Sequence, residues 1–131
     1  MRTITKWIKG EEFESHQQHN HLKLDGKRER GISPKAVLLS GLAACAGIDV
    51  VEILQKMRVH FDSLEIDTEA TMTEGIPKIF SHIEVVFKIK TNKINRNKVT
   101  KAIELSLEKY CGVATMLRKN SPISYTLVIE E

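Results

Sequence analysis

Aromatic residues make up only 5% of this 131-residue sequence, and it holds just two cysteines and three prolines. Two cysteines, Cys45 and Cys111, cannot build the dense disulfide framework of a small secreted domain. No uninterrupted apolar run reaches the ~18 residues that a bilayer-spanning helix needs. Met1–Lys9 alternates charged and apolar residues, without the apolar stretch of a signal peptide. A cytoplasmic protein with no membrane partner is expected. A strong surplus of either charge is missing too, since 20 basic residues face 17 acidic ones and leave a net charge of +3. So small and interspersed a surplus speaks for solubility rather than for a nucleic-acid partner. Neither the GxxG loop nor the aromatic strand motif of RNA-binding modules is present.

The composition is globular, with 41% hydrophobic and 28% charged residues. The length suits a single domain covering 1–131. Periodicity gives the order of elements. Arg2–Ile8 reads as a strand with one imperfect step, Phe13–Gln17 as a short second strand. His21–Asp25 is a third, ended by Asp25-Gly26. Lys27-Arg28-Glu29-Arg30-Gly31 reads as a solvated loop, or else a lid over a site. Ser33-Pro34 has the form of a helix start, with serine at the cap and proline in the first helical position. From there to about Arg58, Leu38, Leu42, Cys45, Ile48, Val51 and Leu54 recur at helical spacing. Gly41, Ala43, Ala44, Ala46 and Gly47 make the helix smooth in its middle. Each glycine costs up to about 1 kcal/mol relative to alanine, so close packing against this stretch is expected.

Leu64–Met72 and Ile79–Ile89 alternate at a period of two around Gly75-Ile76-Pro77, the pattern of a long antiparallel hairpin. A second amphipathic helix spans about Asn97–Tyr110, with Val99, Ile103, Ser106, Leu107 and Tyr110 on its inner stripe. A short helical piece over Ala114–Lys119 and a strand over Ile123–Ile129 complete the chain. Strands and helices do not alternate regularly, so the fold class is α+β, a long central helix packed by antiparallel sheet.

Two cysteines in a reducing compartment are either reactive thiols or small buried hydrophobes. His16, His19 and His21 suggest a metal site, and His19 and His21 project to one face of a strand at compatible spacing. Yet histidines in an exposed hairpin are usually solvated, no carboxylate or cysteine cluster completes a motif, and no metal is expected. Asp49 and Glu52 read as charges facing a pocket or as a solvated helix edge. Trp7, Phe13 and Tyr110 read as core or interface aromatics.

The stretch Ser33-Pro34-Lys35-Ala36-Val37-Leu38-Leu39-Ser40-Gly41-Leu42-Ala43-Ala44-Cys45-Ala46-Gly47-Ile48-Asp49-Val50-Val51 strongly resembles the signature helix of the OsmC/Ohr superfamily. Tyr110-Cys111 followed by Pro122-Ile123-Ser124-Tyr125 is a second match, and the likeness extends over essentially the whole chain. It implies an OsmC-like fold and an intertwined homodimer with two sites at the subunit interface. It also implies reduction of organic hydroperoxides with Cys45 as peroxidatic and Cys111 as resolving thiol, a dithiol reductant as second partner, and no cofactor.

The sequence departs from the family where the thiolate is activated. Family members carry a Glu after the helix-start proline, paired with an Arg from the N-terminal strands. Here Lys35 and then Ala36 stand in those slots, and Gly10-Glu11-Glu12-Phe13 offers no Arg. The sequence looks closer to an OsmC-like branch that also favours an Ala-Ile-Asp-Val-Val type of continuation. Arg28, Arg30 and Lys27 are the candidate cations for Cys45, while Asp49, one turn later, would oppose its thiolate. The alternative function is a catalytically silent OsmC-like dimer that binds a small apolar ligand at the subunit interface.

Overall fold

A computed structural model describes residues 1–131. The chain falls into two compact units, Met1–Leu38 and Leu39–Glu131.

The first unit is an antiparallel meander of β1 (Ile4–Lys9), β2 (Glu12–Gln17) and β3 (Asn20–Asp25) in the order β1-β2-β3. The imperfect step in the first strand is a register shift between Trp7 and Lys9. Trp7 faces Phe13 across the pair, and both rings are exposed, Trp7 by 66%. Neither is therefore a core aromatic of this chain. After β3 the chain folds back so that Leu24 bridges Ile32. Gly31 makes that return possible, because a Cβ there would lie 2.8 Å from the Lys23 backbone.

The loop between is not a loose basic strap. Asp25 is buried, and its carboxylate accepts the backbone N–H groups of Lys27, Glu29 and Arg30 at 2.9, 3.3 and 3.1 Å. Those bonds favour the ionised form and hold the Asp25 carboxyl below its ordinary range.

Helix α1 (Pro34–Lys56) begins at the expected proline. It closes with Arg58 in the left-handed region, which lets Val59 N–H reach back to the Leu54 carbonyl. The second unit adds β4 (Ser63–Met72), β5 (Phe80–Lys90), α2 (Arg96–Leu105), α3 (Gly112–Arg118) and β6 (Ile123–Glu130). A single 3₁₀ turn leads into α2, and the π-helical turn Ser106–Tyr110 continues it.

The sheet order is β4-β5-β6. β4 and β5 form the long antiparallel hairpin, with Ile66 opposite Phe87. β6 lies parallel to β5, with Val85 opposite Tyr125 and Phe87 opposite Leu127. A parallel neighbour requires a long crossover, and α2 with α3 supplies it. Because β5 is the central strand, its Ile83, Val85, Phe87 and Ile89 are all buried. Phe87 meets the Tyr125 ring edge-on at 6.4 Å between centroids.

α1 contributes Leu42, Ala46, Val50 and Leu54 to this core, one residue per turn and all fully buried. By length and composition α1 could cross a bilayer, but this row is occupied by the core. The buried face is not quite the stripe that periodicity suggests, since Leu38 and Ile48 are 50% and 60% exposed. A spacing of four keeps Leu42 to Leu54 in line, whereas Ile48 and Val51 belong to a neighbouring face. Gly47 answers the expectation of close packing: a Cβ there would come within 2.9 Å of the Ile66 side chain. Gly41, by contrast, faces open space.

Candidate active site at Cys45 and Cys111

Cys111 is buried where the π turn ends and α3 begins. As the cap of α3, its sulfur accepts the Ala114 N–H at 3.4 Å. Its own N–H bonds the Ser106 carbonyl at 2.7 Å, the i to i−5 bond that makes the turn a π turn. Cys45 is half-buried at mid-helix on α1, and both thiols are free.

The two thiols lie near enough to act on each other's ionisation. Burial above all pushes the Cys111 thiol up to about 11, and hydrogen bonding with the Cys45 side chain and the negative charges of Cys45 and Asp49 push the same way. The Ala114 N–H opposes the shift without cancelling it. Cys111 therefore keeps its proton at neutral pH.

Asp49 follows Cys45 by one turn and is half-buried. Its Oδ2 is 2.9 Å from the Ser106 hydroxyl, which also lies 3.2 Å from the Ala46 carbonyl. Beyond Asp49 opens a cavity of about 530 Å³ with Ile53, Met57 and Leu105 on its walls and Glu52, Lys56 and Tyr110 around them. Glu52 thus faces a pocket, and Tyr110, on the expected inner stripe, is 54% exposed beside it. On another face of α1, Ala43, Ala44, Gly47, Ile48 and Val51 line an open apolar groove of about 680 Å³.

A family model described as OsmC-like protein matches residues 25–126. The chain belongs to the OsmC-like family. It is 34% identical over 128 residues to protein YhfA of Escherichia coli K12, with 96% of each chain covered. Among solved structures, a hypothetical protein from Aquifex aeolicus superposes with a TM-score of 0.83 at 27% identity, covering 99% of this chain and 97% of that one. The organic hydroperoxide resistance protein OhrB of Bacillus subtilis shares the fold, with a TM-score of 0.65 at 16% identity and 96% of each chain covered.

The family's activating pair has no counterpart at the expected positions of this OsmC-like protein. Lys35 is exposed at the second position of α1, and Ala36 follows it. Lys27, Arg28 and Arg30 sit exposed in the loop tied down by Asp25. The three histidines do not converge, although the His16 and His21 rings lie 5.9 Å apart between centroids. His16 pairs with His21 across β2 and β3 and bonds Glu14 at 2.8 Å, while His19 lies in the turn between those strands. No three His, Cys, Asp or Glu side chains converge as a metal site.

Nothing in the sequence marks Ser106 as part of the site, since a serine on the inner stripe of a helix is usually a small core residue. Its burial on an otherwise apolar stripe was the available signal, because a buried hydroxyl needs a partner.

Proposed function

We propose that this OsmC-like protein is a cysteine-based reductase of organic hydroperoxides. The observation that carries the reading is the neighbouring thiol pair Cys45 and Cys111 inside the second unit. A protein of the same fold is named for organic hydroperoxide resistance.

In this reading the Cys45 thiolate attacks the peroxide. An S–O bond forms, the O–O bond breaks, and the alkoxide leaves as alcohol after taking a proton. Cys45 is then a sulfenic acid. The Cys111 sulfur attacks it, the S–S bond forms, and hydroxide departs with the Cys111 proton as water. A dithiol reductant restores both thiols and becomes a disulfide itself. Neither metal nor organic cofactor enters the cycle. Conversion of Cys45 to the sulfenic acid removes its thiolate charge from beside Cys111, which eases ionisation of the second thiol when it is needed.

The working form in this proposal is a cytoplasmic homodimer. The open groove along Ala44, Gly47, Ile48 and Val51 and the exposed Trp7, Ile4 and Ile8 are apolar surface that a second subunit would cover.

Lys35 and Ala36 favour one competing reading, a silent dimer that keeps the fold and binds an apolar ligand between subunits. Thiol titration and peptide mass mapping after one equivalent of an organic hydroperoxide separate the two. Loss of both thiols with a Cys45–Cys111 linkage supports the reductase. Two free, unmodified thiols rule it out.

A further inference from the structure

Ser106 has no exposed surface and lies in the π turn that ends at Cys111. It touches both thiol-bearing segments. Its hydroxyl reaches Asp49 Oδ2 and the Ala46 carbonyl, on the turn of α1 that follows Cys45. Its carbonyl receives the Cys111 N–H. A hydroxyl carries one proton, so it serves one acceptor at a time, and the carboxylate is the stronger one. The partners are 57 residues apart in sequence, so this bond is a tertiary fastening rather than a local turn. Asp49 is only half-buried and already borders the neighbouring cavity, and Ser106 is the one side chain bonded to its carboxylate.

We propose that Ser106, with Asp49 as its acceptor, is a positioning residue that clamps the Cys111 turn to the Cys45 turn and sets the effective concentration of one thiol at the other. The proposal rests on the thiol-pair reading above. The extra backbone residue of the π turn aims the Ser106 hydroxyl at α1 while its carbonyl holds Cys111, so both thiols are referred to one point. Loosening the clamp leaves each thiol intact and lowers the chance that they meet.

The test is the equilibrium of the pair with glutathione disulfide, which needs no hydroperoxide. Two protein thiols and one glutathione disulfide give the protein disulfide and two reduced glutathiones. Ser106→Ala and Asp49→Ala should each shift this equilibrium toward the dithiol by about tenfold, the scale of one charged hydrogen bond. Asp49→Asn, whose amide oxygen still accepts from Ser106, should stay within about threefold of the parent. The double variant Ser106→Ala/Asp49→Ala should be no worse than Ser106→Ala, because the two act as one unit. Thermal melting of the reduced forms shows whether each variant is folded. If Ser106→Ala does not fold, the two Asp49 variants decide, since that side chain is half-exposed.

Unchanged equilibria in Ser106→Ala and Asp49→Ala, fully additive effects, or no disulfide in the parent would overturn the clamp. A clamp-dependent disulfide in a protein inert to hydroperoxide would uphold it while sinking the reductase reading.

Discussion

The Cys45 side chain, at mid-helix on α1, lies close enough to the Cys111 thiol at the start of α3 for its charge to help hold the Cys111 proton. The two thiols are unlike in surroundings: Cys45 is half-buried, whereas Cys111 is fully enclosed and keeps its proton up to about pH 11. That asymmetry suits a division of labour in which the accessible thiol meets the substrate and the enclosed one meets only Cys45.

Cys45→Ser should therefore abolish hydroperoxide consumption. Cys111→Ser should allow about one turnover and leave a sulfenic acid that a dimedone probe traps. Steady multiple turnover by Cys111→Ser with a dithiol reductant, and no trappable sulfenate, would remove Cys111 from the cycle.

Burial of Cys111 has a consequence for stability at high pH. An unfolded cysteine ionises near pH ~8.5, while folded Cys111 ionises at about 11. The folded state thus holds a proton that the unfolded state has released. The stabilisation is complete below the unfolded value and is lost as pH rises through the window up to about 11. Urea midpoints of the reduced protein should fall across that window, and Cys111→Ala should flatten the fall. An equal slope in parent and variant would contradict the assignment.

Asp25 behaves in the opposite sense. Its carboxyl is held below the ordinary range by the Lys27, Arg30 and Glu29 amides. The order it imposes on the loop is present above the unfolded value of ~3.9 and lost as pH falls through the lower folded value. Asp25→Asn should speed hydrogen exchange at the amides of Lys27, Glu29 and Arg30 by about tenfold or more at neutral pH. Unchanged protection there would mean that the return of the chain at Ile32 orders the loop unaided.

The proposed dimer can be tested at Ile48, which is 60% exposed on the groove face of α1. Ile48→Asp would bury an unpaired carboxylate between subunits. It should weaken association by at least about tenfold, read by analytical ultracentrifugation, and should spare the core because Ile48 has no place in it. A parent that sediments as a folded monomer at micromolar concentration would end the proposal.

Much of the fold is legible in the residues because its signals are local. The alternation of Ile83, Val85, Phe87 and Ile89 marks β5, and all four are buried. Ser33-Pro34 marks the start of α1, and Val99, Ile103 and Leu107 mark the buried face of α2 and its π turn. The small-residue stretch around Cys45 carries the family resemblance, and of its two glycines Gly47 has the tight neighbour that such a stretch calls for.

Local periodicity reports that an element has an apolar face, but not which of two apolar faces the core will take. Hence Leu42, Ala46, Val50 and Leu54 are enclosed while Leu38 and Ile48 are exposed, although all recur at helical spacing. Nor does a strand pattern fix direction, and β6 runs parallel to β5 only because two helices carry the chain back across the sheet. The sequence by itself determined the elements, their order, the family and the two cysteines. The tertiary structure decided that burial holds the proton on Cys111, that Asp25 ties down the basic loop, and that Ser106 joins the Cys111 turn to α1. The bond from Ser106 to Asp49 and the shielding of Cys111 come from segments far apart in the chain, and spacing along a sequence carries no record of which distant groups share one low-dielectric site.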